Sequence, residues 1–92
     1  MSEQRRTITV VNQRGLHARA SAKFVNAVSE LPDTITVKVA KDGVEAAGGS
    51  ILGLMMLGAA KGDAIEVIVL GEDGSDVFEQ LCGMVADGFG ET

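Results

Sequence analysis

The chain holds one histidine among its 92 residues. His17 lies in the run Asn12-Gln13-Arg14-Gly15-Leu16-His17-Ala18-Arg19, where an apolar stretch gives way to helical periodicity. Histidine is the side chain whose ordinary titration falls near physiological pH, and its neutral ring offers a nucleophilic nitrogen. The first turn of a helix carries N–H groups without backbone partners. A ring nitrogen, free N–H donors and the nearby Arg19 guanidinium together suit the holding of a phosphoryl group. The competing assignment is a surface or capping histidine. A structural zinc site is excluded by supply, since it wants four His or Cys ligands and the chain has one of each. A Ser-His-Asp arrangement stays open, because its members meet only in the fold. No G-x-S-x-G elbow supports it. Gly48-Gly49-Ser50 resembles a phosphate loop weakly, lacking the Lys and spacing of a Walker motif.

The elements that must position His17 follow from the hydrophobic pattern. Thr7-Ile8-Thr9-Val10-Val11 is rich in β-branched residues and predicts a strand. Gly15 permits a turn into a helix that starts near His17 or Ala18. Ala20, Phe24, Ala27 and Leu31 fall on one stripe of that helix, with Val28 beside it, and Pro32-Asp33 marks its end. Alternation over Ile35–Ala40 predicts a half-buried strand. Lys41-Asp42-Gly43 is a turn signal, and Val44–Ala47 returns as its hairpin partner. Ser50 is placed as the cap of a second helix reaching about Ala60. After Gly62-Asp63, Ile65–Leu70 suits an interior strand. Asp73-Gly74-Ser75-Asp76 offers caps for a last helix to about Asp87, and Gly88–Thr92 is expected to be a tail. The order predicts an α+β open-faced sandwich: a four-stranded, mainly antiparallel sheet covered on one face by three helices. Residues 1–92 are expected to form a single domain.

Composition narrows the function. The formal charge of −5 and the absence of Trp and Tyr argue against nucleic acid, which wants a basic footprint and stacking platforms. No apolar segment follows Met1–Arg6, so no signal peptide is expected, and no run is long enough to span a bilayer. A cytoplasmic location follows as the expectation. Cys82 sits in an apolar stretch and is expected to be a buried small hydrophobe, a redox switch being the weaker alternative.

The second helix has too much apolar surface for one core face. Ser50 through Ala60 carries no charge. Leu54 and Leu57 can face the core, while Ile51, Leu52, Met55, Met56 and Ala59 spread around the remaining circle. In a one-sided sandwich some of that surface must meet solvent, and such patches mark docking sites. Methionine repacks easily against different partners. A fully buried helix or a dimer contact is the alternative.

Two motifs carry a family resemblance. Gly15-Leu16-His17-Ala18-Arg19, with Ala22, Phe24 and Val25 after it, resembles the active-site motif of the HPr family, histidine-containing phosphocarriers of the bacterial phosphoenolpyruvate-dependent phosphotransferase system. Ser50 through Gly62 resembles that family's regulatory-serine segment. The resemblance implies that His17 takes a phosphoryl group at Nδ1 from phosphorylated enzyme I. The group would then pass to a histidine of an enzyme IIA domain, with Arg19 neutralising phosphate charge. It implies no cofactor. It also implies that Ser50 is a target for an HPr kinase/phosphorylase, and that phosphate there would disturb the adjacent docking patch. Ala20 departs from the family's usual Pro, which preorganises the first helical turn. Gln13 and Arg14 resemble the variants of nitrogen-related phosphorelays, so a regulatory binding module without sugar transport is the alternative function.

Overall fold

The structure is a computed structural model and describes residues 2–91. Its elements run β1 (Glu3–Thr9), α1 (Ala18–Ser29), β2 (Thr36–Lys41), β3 (Val44–Ala47), α2 (Ile51–Met56), β4 (Ala64–Leu70) and α3 (Ser75–Ala86). A single 3₁₀ turn follows at Gly88–Gly90. The four strands form one sheet in the order β1-β4-β2-β3, with every neighbouring pair antiparallel. The expected open-faced sandwich is therefore present.

The period-two pattern assigns the sheet's two faces. Val37 and Val39 of β2 and Ile65, Val67 and Val69 of β4 join the core. Phe24 of α1, Leu54 of α2 and Phe78, Leu81 and Val85 of α3 meet them there. The buried core is aliphatic apart from Phe24, Phe78, Phe89 and Cys82, and it holds no methionine. Cys82 is buried and unpaired, in keeping with its expected role. Ile68 is also buried, yet lies on the opposite face from Val67 and Val69. Its cross-strand neighbours are Arg5 and Lys38, whose aliphatic stems are available to cover it.

Three boundaries differ from expectation. β1 spans Glu3–Thr9 rather than Thr7–Val11, because pairing with β4 begins at Glu3↔Leu70. Cross-strand hydrogen bonding can recruit the polar run Glu3–Arg6, which carries no β-propensity signal of its own. α2 stops at Met56 instead of running to Ala60, since Gly58 takes a left-handed φ of 66°. The expected tail is folded as far as Glu91: Phe89 is buried and belongs to the core. Thr92 lies outside the described residues.

Candidate functional site

His17 is the N-cap of α1, with extended backbone (φ −76°, ψ −179°). Its carbonyl accepts from Ser21 N at 2.9 Å, and its Nδ1 accepts from Arg19 N at 3.3 Å. A ring nitrogen thus occupies the place where a Ser or Asp oxygen ordinarily caps a helix. This is why a capping role and a chemical role were both legible at His17.

The preceding loop is held firmly. Gly15 has φ 62°, and a Cβ built there would fall 2.1 Å from the Ala59 carbonyl oxygen. Leu16 N donates to that same oxygen at 2.9 Å, tying the His17 loop to the segment after α2. Asn12 is buried and donates through Nδ2 to Gly15 O at 2.9 Å and to Glu91 Oε1 at 3.0 Å. Ser21, fully buried, donates through Oγ to Leu16 O at 3.3 Å.

The other ring nitrogen meets an acid from the expected tail, Glu91. Glu91 Oε2 lies 2.7 Å from His17 Nε2, with both side chains mostly shielded from solvent. The Asn12 amide, and secondarily His17 and Lys23, hold the Glu91 carboxyl below its ordinary range despite opposing desolvation. An ionised carboxylate only accepts hydrogen bonds, so Nε2 carries the proton facing it. In the neutral ring the lone pair is then on Nδ1, at the end of α1. The turn that delivers Glu91 is strained: Gly88, Phe89 and Gly90 all have positive φ, with Phe89 at 60°. Burial of the Phe89 ring and a 2.8 Å hydrogen bond from Lys23 Nζ to the Phe89 carbonyl hold it. The glycines flanking Phe89 were the available signal for this turn.

Arg19 is exposed, and neither it nor Arg14 joins an ion pair among the described residues. With Lys23, Gln13, Gly90 and Glu91 they line a surface cavity of about 400 Å³, which shares Glu91 with the His17 contact. Ser50 caps α2, its Oγ accepting from Gly53 N at 3.0 Å. Of the residues expected to form a docking face, Met56 is 77% and Leu52 67% exposed, with Ile51 and Met55 also open. Ala59 does not belong to it. Once α2 ends at Met56, the chain turns inward and buries Ala59 in the core, where its carbonyl serves the His17 loop.

This arrangement agrees with what the chain resembles. The family model described as "PTS HPr component phosphorylation site" matches residues 4–87. The chain belongs to the HPr family of phosphocarriers. The phosphocarrier protein HPr of Pseudomonas putida is 40% identical over 86 residues, covering 94% of each chain. The phosphocarrier protein NPr of Shewanella violacea is 34% identical over 91 residues, covering 99% of this chain and 98% of that one. The crystal structure of HPr-C-His from Thermoanaerobacter tengcongensis superposes with a TM-score of 0.87 at 31% identity, over 97% of this chain and 98% of that one. Members of the HPr family work with components of the phosphotransferase system. Among the described residues, no helix is long and apolar enough to cross a membrane, and no group of His, Cys, Asp and Glu could hold a metal ion.

Proposed function

We propose that His17 is the residue that carries the phosphoryl group, accepting it from phosphorylated enzyme I and passing it to a histidine of an enzyme IIA-type domain. The observation that carries this reading is the orientation of the ring. Nδ1 holds the lone pair at the N-terminus of α1, where it accepts from Arg19 N, and the Arg19 and Arg14 guanidinium groups join no ion pair among the described residues. In the accepting step the Nδ1 lone pair attacks phosphorus, the donor's P–N bond breaks, and the proton on Nε2 stays where it is. Arg19 N is then released from Nδ1 to donate to a phosphoryl oxygen, and the Arg19 guanidinium offsets the arriving charge. A site with few donors stabilises the group without trapping it, as a carrier requires.

The exposed side chains Ile51, Leu52, Met55 and Met56 form the docking face for enzyme I and the acceptor. Ser50, at the edge of that face, is the modification site for an HPr kinase/phosphorylase. Phosphate there is favoured by the dipole of α2 and need not unfold it, but it would put negative charge beside an apolar contact, weakening docking. A solely regulatory role is the second reading, favoured by Gln13 and Arg14 at the mouth of the cavity. The test is incubation with enzyme I and labelled phosphoenolpyruvate. Acid-labile label is expected on the wild type and lost in His17→Ala; label that survives this substitution overturns the assignment. Transfer to isolated sugar-specific IIA domains, or its failure, separates uptake from regulation. Met56→Glu is expected to weaken enzyme I binding about tenfold or more with no change in melting temperature, and unchanged affinity would remove the docking face.

A further inference from the structure

We infer that Glu91, delivered by the strap Asp87–Glu91, is a positioning residue for phosphoryl transfer: it fixes the ring tautomer of His17 and steadies the imidazolium that transfer creates. The inference rests on His17 being the phosphoryl acceptor. Its carrier is the chain of contacts reaching the ring from the far end of the sequence. Glu91 Oε2 stands 2.7 Å from Nε2, across 74 positions of sequence. Its other oxygen is held by Asn12 Nδ2, itself buried and bonded to Gly15 O in the loop before His17. Lys23 of α1 clamps the strap at the Phe89 carbonyl, and the buried Phe89 ring anchors it to the core. Three independent attachments therefore place one carboxylate against one ring nitrogen, at the expense of a phenylalanine in left-handed backbone. Strain held in this way collects where function demands it.

The chemistry follows from which nitrogen reacts. When Nδ1 bonds to phosphorus while Nε2 keeps its proton, the ring becomes a phosphoimidazolium carrying positive charge. Glu91 accepts the Nε2–H hydrogen bond before, during and after this step and takes no proton, as an orienting carboxylate does in a catalytic triad. Stabilising the charged ring favours acceptance. With the proton held on Nε2 the ring departs as neutral imidazole when the Nδ1–P bond breaks, so the fixed tautomer serves both directions of the relay. Glu91 also repels the bound phosphoryl group from the opposite side of the ring, which keeps the group transferable.

Two measurements test this on the full chain. Two-bond proton–nitrogen NMR reads the His17 tautomer in the unphosphorylated protein. Wild type is expected to show one tautomer, with the proton on Nε2, and Glu91→Gln a mixture, because the amide can present either a donor or an acceptor. Single-turnover transfer from phosphorylated enzyme I is expected to slow about tenfold or more in Glu91→Gln. Lys23→Met removes the clamp on the Phe89 carbonyl while keeping Glu91 itself, so the tautomer readout should shift in the same direction by less. An unchanged tautomer, or a tautomer change with transfer within about twofold of wild type, overturns the role. The carrier reading fails separately, through label that persists in His17→Ala.

Discussion

At the scale of the residue, Gly15 sets the entry to the site through what it lacks. Its left-handed φ and the 2.1 Å approach of a Cβ to the Ala59 oxygen leave no room for a side chain. Gly15→Ala must distort the loop or break the Leu16–Ala59 hydrogen bond. It is expected to cost about 2 kcal/mol or more in urea unfolding, and to slow phosphoryl acceptance by misplacing His17. Stability within a few tenths of wild type would show that the loop yields freely. Gly15, His17 and Arg19 were legible because a lone histidine between glycine and arginine at a helix start has few physical meanings. Glu91 was not, since the glycines flanking Phe89 signal a turn but not where that turn delivers its acid. Its partner lies 74 positions away, and the burial of Phe89 with the contacts of Asn12 and Lys23 brings them together.

At the scale of the element, α2 is six residues long, too short to sustain itself by propensity, so its cap and its packing must hold it. Ser50→Ala removes the hydrogen bond to Gly53 and is expected to cost about 1 kcal/mol in chemical denaturation. No measurable loss would mean that Leu54, fully buried, holds the helix unaided. The composition of 50–60 made the exposed face readable, but the helix end was missed. A run of apolar residues does not reveal which one turns inward. Gly58 at positive φ ends the helix and sends Ala59 to the core. The hairpin and the capped helix starts were easier, because turn residues punctuate them. β1 drew its register from β4 rather than from its own residues, and its first four positions gave no sign of it.

At the scale of the whole molecule, a small aliphatic core leaves little redundancy. Phe24 is buried on α1 against the sheet, and Phe24→Ala is expected to cost about 3–5 kcal/mol. That is a large share of the roughly 5–15 kcal/mol typical of a domain, and a fall in melting temperature would report it. Acid should act on the strap. Contacts with Asn12 and His17 hold Glu91 below 4.5, so its contribution to stability is complete above that value and lost as pH falls through the lower folded one. Glu79, held low by Arg6 on the exposed surface, acts in the same direction. The difference in urea midpoint between wild type and Glu91→Gln should therefore be present at pH 7 and shrink at about pH 3; equal differences at both would contradict it. The Glu91–His17 contact also has a meaning in time. A ribosome adding about 5–20 residues per second needs roughly 4–15 s to travel from His17 to Glu91. A nascent chain can thus show its histidine for seconds before Glu91 is synthesised to meet it.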